Sequence, residues 1–548
     1  MKKLFTIDDL IVTFICQKGE KKMDFNEIQA NVRAVYGENR RITDGEYDKS
    51  LAVKCINGTF VGKKTENVIA YKGIPFTGKT PVGAFRWKAP VDVVPDDGVY
   101  EAYYNAKTPS QVESIVERGS LFYHGEDCLY LNVWRAEDAP AKKKPVMVYI
   151  HGGGFVNGGT ADPMFDCHNL VKENPNVVAV TVADRLGIFG FFHISHLPDG
   201  GEYPDAQNLG TMDQMMALKW VHENIEAFGG DPDNVTIFGE SAGGASVTLL
   251  PLVKGSHRYF NRLIAESGSP ALTRPTEEAL ACTDEIMTTL GCTTIAELQK
   301  VEEEKLVLAS GALGLRVAPE RDGNYLPADL YAAYANGAAK DVEILLGCNK
   351  DEANWLVHFS GVDGFKMWAA DRKAWKISGL PDQEKKLIES FCADVKGEDH
   401  EGDRHLYDQL WFKAPLIRLA EEQTKGGGKA YIYYFTPESS LPYMKCGHET
   451  ELASVFNRPE ETFFTGRAFD ETFGKTMRRM WFQFAKTGDP SLSADISPDG
   501  KPHAWPLYDL EDKKVMVLDE FNIHPEKESR VGIVDWDRTY CLTRYYWL

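Results

Sequence analysis

Val235-Thr-Ile-Phe-Gly-Glu-Ser-Ala-Gly-Gly244 is the stretch on which the reading of this chain turns. A β-branched, apolar run breaks into Gly239-Glu240-Ser241-Ala242-Gly243 and continues through Ala245, Val247, Leu249 and Leu250. The pattern predicts a strand that turns sharply into a helix with a serine at the turn, a nucleophile elbow. In such a turn the serine backbone is strained and its neighbours two residues away crowd one another. Gly239 and Gly243 carry no Cβ, so the turn can close. Ser241 then stands at the top of a sheet and the start of a helix, its hydroxyl turned outward. An isolated G-x-S-x-G string is common by chance; the strand before it and the apolar helix after it give this one its weight.

Working outward, strands and helices alternate. Pro145–Ile150 and Asn176–Val182 are apolar almost throughout, and Leu263–Ala265 and Val342–Leu346 are shorter candidates. Near-continuous apolar strands indicate a sheet covered on both faces. Between strands, Leu218, Val221, Ile225 and Phe228 recur at helical spacing, Thr211 and Gln214 form a candidate capping box, and Gly229-Gly230 stops the helix. A second helix runs through Met477, Trp481 and Phe484 to Gly488. The alternation predicts an α/β fold with a mostly parallel central sheet flanked by helices. The Trp- and Phe-rich stretch around 355–440 reads as a helical insertion that roofs the site or, equally, as a peripheral helical layer. Residues 1–45 read as an N-terminal extension and 46–548 as one domain.

Bulk properties narrow the function classes. The chain has 548 residues with 61 basic and 81 acidic side chains, a formal net charge of −20. That disfavours nucleic acid or an anionic membrane as the main partner. No apolar run reaches the roughly 20 residues of a membrane span. The N-terminus opens like a secretory signal, but Asp8 and Asp9 interrupt it, Ile11–Cys16 is too short for the apolar region, and no small-x-small cleavage site follows. Residues 1–22 precede a second candidate start at Met23, and the expected location is cytoplasmic. The 10 cysteines lie far apart without a C-x-x-C, so they are not a disulfide framework.

A serine needs a base, and the base needs a carboxylate to steer it. On an elbow fold both follow the serine, acid first and histidine second. Leu345-Leu-Gly-Cys-Asn-Lys-Asp-Glu-Ala353 is a strand followed by a carboxylate-bearing loop, and periodicity does not choose between Asp351 and Glu352. His448 lies on a glycine-containing loop before Val455-Phe456, where an imidazole is free to reach the serine. His358, His400, His405, His503 and His524 occupy polar or helical settings and read as surface residues, although position alone does not decide. Tyr149-Ile-His-Gly-Gly-Gly-Phe155 follows a strand, and its consecutive glycines let backbone N–H groups turn into a site beside that of Ala242. Together they would form an oxyanion hole.

With these residues placed, the chain resembles the type-B carboxylesterase and cholinesterase family, from about residue 50 to the C-terminus. Phe228–Gly244 is similar to the family's serine signature and Glu126-Asp-Cys-Leu-Tyr-Leu-Asn-Val133 to its second one. Arg185–Gly190, Glu266-Ser-Gly268, Phe484–Pro490 and Trp505-Pro506 match further elements. The resemblance implies an α/β-hydrolase fold with helical insertions over the site, a prokaryotic-like, bacterial member, and a Ser241, Glu352, His448 triad. Its lysine-aspartate-glutamate element falls on Lys350-Asp351-Glu352, and its histidine precedes a Val-Phe pair by seven residues. The oxyanion donors carry over to Gly153, Gly154 and Ala242, and Glu240 matches a glutamate that tunes the site. Two departures stand out. Cys128 lacks the upstream partner found in disulfide-bonded relatives, and no cysteine lies in Ala296–Lys300 to meet Cys292, leaving Cys282 and Cys292 to pair only if geometry permits.

The implied activity is hydrolysis of carboxylic esters, short-chain or aryl and hydroxycinnamoyl, through an acyl-enzyme. A small-molecule ester is the expected partner, with no cofactor, metal or nucleic acid. An adhesion-type binding protein on the same fold would have lost the serine, and cleavage of an amide or carbamate by the same machinery is a third option. Phe155, Trp355 and Phe359 are candidate linings of an apolar acyl pocket. Gly73–Thr80 fits the P-loop string, but Pro81 follows the lysine at once and Pro75 removes a donor, which argues against a phosphate loop. His193-Ile-Ser-His196 has no further ligand set nearby for zinc.

Overall fold

The computed structural model describes residues 36–112, 123–137, 143–377, 380–393 and 400–535, with Thr539 and Leu542. The expected N-terminal extension lies outside the described residues up to position 35.

Eleven strands form the main sheet: β1 Lys63–Thr65, β2 Val68–Pro75, β3 Tyr130–Ala136, β4 Lys144–Ile150, β5 Val178–Val182, β6 Gly230–Glu240, β7 Arg262–Glu266, β8 Glu343–Asn349, β9 Ala430–Phe435, β10 Lys514–Leu518 and β11 His524–Lys527. Their spatial order is β11-β10-β9-β8-β7-β6-β4-β5-β3-β2-β1. The strands from β5 to β10 run parallel, and the flanking strands on both sides are antiparallel. All five residues of β5 are buried, as are all six of β9, because helices cover both faces. A separate four-stranded sheet, Arg41–Ile42, Val99–Glu101, Gly58–Val61 and Ala52–Cys55, stands at the N-terminal side of the chain.

The helix read around Leu218 and Val221 spans Leu209–Asn224 and passes into a tighter turn, Ile225–Phe228, which ends at Gly229 with φ 85°. Its start corrects the expected capping box. A turn at Ala206–Asn208 leads directly into Leu209, so Thr211 and Gln214 lie buried inside the helix. Gln214 Nε2 donates instead to Ser246 Oγ at 3.0 Å. The second helix spans Glu471–Thr487, capped by Asp470, and buries Met477, Trp481 and Phe484.

Between β8 and β9 the chain is helical: Asn354–Ile377, broken at Gly361, then Asp382–Ala393, Glu401–Tyr407, a π-helical turn at Asp408–Lys413, and Ala414–Lys425. Ala353, Val357, Phe365, Leu410, Trp411 and Phe412 pack there into a core of their own. The P-loop-like string runs through β2, with Ile74 and Phe76 fully buried, and no α-helix follows it. Cys128, Cys282 and Cys292 are free thiols. Among the described residues no helix is long and apolar enough to cross a membrane.

The candidate residues all follow the carboxyl ends of parallel strands: the glycine loop β4, Ser241 β6, Glu352 β8 and His448 β9. Crevices at that edge are where open α/β sheets bind ligands.

Candidate active site

β6 occupies the middle of the sheet, between β4 and β7, and ends at Glu240. The next residue, Ser241, has φ 56° and ψ −120°, and helix Ala242–Leu249 begins immediately after it. This is a left-handed φ that a non-glycine residue adopts only when its surroundings impose it. Ser241 N–H donates to the Glu266 carbonyl at 2.8 Å, and Ala245 N–H donates to the Ser241 carbonyl at 2.8 Å. A Cβ on Gly239 would lie 2.5 Å from the Gly243 carbonyl carbon, and one on Gly243 would collide with the Ile150 carbonyl oxygen. The two glycines are therefore conditions of the turn rather than ornaments of the motif.

His448 and Glu352 meet beside this turn. Nδ1–H of His448 donates to Glu352 Oε2 at 2.7 Å, and the His448 backbone N–H donates to the Glu352 carbonyl at 3.1 Å. Glu352 is fully buried and its Oε1 accepts the Asn349 N–H at 2.7 Å. The imidazole sits between Trp355, ring centroids 5.9 Å and 28° apart, and Phe412, at 4.8 Å. Burial pulls the His448 pKa down, but the Glu352 charge and its hydrogen bond outweigh burial, and the net shift is upward. The other ring nitrogen, Nε2, lies 3.1 Å from Glu240 Oε1. Asp351, the alternative acid, faces Asp408, Lys413 and Arg404, and burial raises its pKa.

The glycine loop after β4 lies against the elbow: a Cβ on Gly152 would sit 3.3 Å from the Ser241 Cβ and 2.9 Å from the Glu240 carbonyl oxygen. Gly153 and Gly154 have φ 104° and 61°. His151 holds the loop, with Nδ1 2.8 Å from the Gly152 carbonyl; burial lowers its pKa to about 4, so it is a neutral donor. The N–H groups of Gly153, Gly154 and Ala242 donate to no protein acceptor among the described residues.

Gly153, Gly154, Ser241 and His448 line one cavity of about 50 Å³. Its walls are Leu272, Leu315, Trp355, Trp411, Phe412, Glu449 and Phe464. Of the expected aromatic linings, only Trp355 is there. Phe155 is buried edge-on against Phe191, and Phe359 stacks on Phe463 and meets the wall residue Phe464 edge-on. A larger cavity of about 1210 Å³ borders the small sheet, but no serine or histidine lines it.

Sequence reasoning missed Leu272, Leu315, Trp411, Phe412 and Phe464, which come from distant segments and carry no shared motif. It also missed Glu451, fully buried, whose Oε2 accepts Asn349 Nδ2 at 2.5 Å. Burial and the Glu352 charge push its pKa up to about 7. Two histidines expected on the surface are buried: His400, wedged between Phe365 and Tyr443, and His503, which pairs with Asp499 at 3.0 Å. The helical packing that hides His400 is not visible in local polarity. Glu240, His448 and Glu449 bring ligand atoms within 4.8 Å of one another, yet the imidazole is already tied to Glu352 through its other nitrogen.

A model of the carboxylesterase family matches residues 49–531. The para-nitrobenzyl esterase of Bacillus subtilis is 35% identical over 496 residues, covering 86% of this chain and 96% of that protein. The liver carboxylesterase of Sus scrofa is 33% identical over 503 residues, covering 81% and 84%. Among solved structures, a Geobacillus stearothermophilus carboxylesterase at pH 6.2 superposes with a TM-score of 0.75 at 32% identity, covering 91% of this chain and 100% of that one. A mixed α/β sheet, a strained serine at its carboxyl edge and likeness along nearly the whole described chain converge: the protein belongs to the carboxylesterase family and is a carboxylic ester hydrolase.

Proposed function

We propose that the protein is a serine carboxylesterase in which Ser241 is the nucleophile, His448 the general base and Glu352 the acid that orients it. The observation that supports this most is the 2.7 Å contact of Glu352 with His448 beside a serine that shares the same cavity. Glu352 fixes the proton on Nδ1 and leaves Nε2 to take the Ser241 proton as Oγ attacks the ester carbonyl. The carboxylate then stabilises the imidazolium, which returns its proton to the leaving alcohol. Water attacks the acyl-enzyme by the same route and releases the acid. The N–H groups of Gly153, Gly154 and Ala242 receive the oxyanion, and removal of one such donor typically costs roughly 10² to 10³ in turnover.

The substrate is a small-molecule ester. A cavity of about 50 Å³ walled by Leu272, Leu315, Trp411 and Phe412 favours a short or flat apolar acyl group. A panel of p-nitrophenyl acetate, butyrate and octanoate, with hydroxycinnamate esters and a p-nitrobenzyl ester, tests the reading. Hydrolysis of the short or aryl members, abolished by Ser241→Ala in a folded protein, is the expected result. Turnover that survives Ser241→Ala would remove the assignment.

A further inference from the structure

Glu320, His193 and Ser195 form a second hydrogen-bonded set of acid, imidazole and serine, apart from the cavity around Ser241. Ile194 is buried, and its neighbours His193 and Ser195 both stand half-buried on the opposite side of the chain. Glu320 is fully buried and its position is fixed: its N–H donates to Asn208 Oδ1 at 2.8 Å, and Asn208 Nδ2 donates to its carbonyl at 3.0 Å. Its Oε1 accepts the Thr276 hydroxyl at 2.6 Å, and its Oε2 lies 2.8 Å from His193 Nδ1. A carboxylate only accepts, so Nδ1 carries a proton, and in the neutral imidazole Nε2 is then the acceptor. The Ser195 hydroxyl lies 3.2 Å from Nε2 and donates to it in that neutral form. The His193 carbonyl accepts the Thr283 hydroxyl at 2.8 Å, which holds the histidine backbone in place.

The order from the interior outward is buried carboxylate, imidazole, half-exposed hydroxyl. That arrangement makes a serine nucleophilic, because the imidazole takes the proton and the carboxylate stabilises the charge that results. None of the three residues lines the cavity that holds Ser241 and His448. We propose that Ser195 is a second nucleophilic serine, a covalent modification site for activated acyl and phosphonyl esters. With an acyl ester, the Oγ–C bond forms as the bond from the carbonyl carbon to the leaving oxygen breaks. The hydroxyl proton passes to His193 Nε2 and then to the departing oxygen. With a fluorophosphonate, the Oγ–P bond replaces P–F, fluoride leaves, and the proton goes by way of Nε2 to solvent.

The test uses the full chain carrying Ser241→Ala, so that its outcome is independent of the role proposed for Ser241. Incubation with an alkyl fluorophosphonate is followed by intact mass and peptide mapping. One phosphonyl group per chain, on Ser195, is expected. Adding Ser195→Ala removes it, and adding His193→Gln slows labelling at least tenfold. Absence of an adduct on Ser195, or equal labelling rates with and without His193→Gln, would overturn the proposal. With Ser241 intact, ester hydrolysis by the His193→Gln and Ser195→Ala chains reports that each has folded. Should His193→Gln not fold, Ser195→Ala, which removes a single oxygen, carries the test.

Discussion

Glu352 and His448 stand 96 positions apart in the chain, yet they are joined twice, side chain to side chain at 2.7 Å and backbone to backbone at 3.1 Å. The double tie fixes which face the imidazole turns toward the elbow. Glu352→Gln keeps the volume but offers an amide that can donate to Nδ1, which favours the wrong tautomer. Turnover of p-nitrophenyl acetate is expected to fall by roughly 10³ to 10⁴. Asp351→Asn, whose carboxyl faces Asp408 and Lys413 instead, should change kcat by less than about tenfold, the range of an indirect electrostatic effect. Steady-state kinetics on the two variants decide the matter; a ranking in the opposite order would move the acid by one residue.

The upward shift of the His448 pKa sets the acid limb of activity. The proposed base works only when neutral. Its pKa lies above the ordinary imidazole value of 6.5 because the Glu352 charge and hydrogen bond outweigh the opposing effect of burial. Activity should therefore fall as pH drops through a point above 6.5. In the residual activity of Glu352→Gln that midpoint should move to lower pH, since burial then acts without its largest counterweight, leaving only the weaker effects of Glu449 and Glu451. A pH profile of kcat/KM for the parent and the variant measures both, and an acid limb that stays in place would show that another group titrates there.

Gly243→Ala tests the elbow itself. The added Cβ would press on the carbonyl oxygens of Ile150 and His151, backbone atoms of β4, which is paired with a strand on each side, and of its loop. Because these same atoms carry the glycine loop, loss of activity should accompany a loss of stability in the overpacking range of about 1 to 3 kcal/mol or more. Urea unfolding of the variant reads the stability directly, and a midpoint equal to that of the parent would contradict the close approach.

Much of this site was legible because its geometry is local. The strand, the two glycines and the helix of the elbow are contiguous, and the glycine loop directly follows a buried strand. The choice between Asp351 and Glu352 was not legible from periodicity, because adjacent residues on one turn differ only in where the turn aims them. The cavity walls were least legible. Leu272, Leu315 and Phe464 come from separate segments, and Trp411 and Phe412 lie in the π-helical turn Asp408–Lys413. A turn of that kind shifts the helical phase by a residue, so a 3.6-residue reading cannot assign which side its aromatics present. The candidate capping box failed for a related reason: the preceding turn at Ala206–Asn208 started the helix before Thr211 was reached.

Glu451 gives a prediction on stability rather than rate. It is fully buried, hydrogen-bonded to Asn349 and close to the Glu352 charge, and its pKa is raised from 4.5 to about 7. Between those values the unfolded chain has released the proton while the folded chain still holds it. Folding stability therefore falls as pH rises through that window, and the penalty is complete above about pH 7. Each pKa unit corresponds to 1.36 kcal/mol, so the raised value amounts to an order-of-magnitude penalty of about 3 kcal/mol. Glu451→Gln keeps an oxygen to accept from Asn349 and cannot ionise. Urea unfolding at pH 5 and pH 8 should show the variant gaining on the parent by most of that amount at the higher pH. If the difference between the two proteins were the same at both pH values, Glu451 would be titrating as an ordinary carboxylate and its neighbours would not be setting its charge.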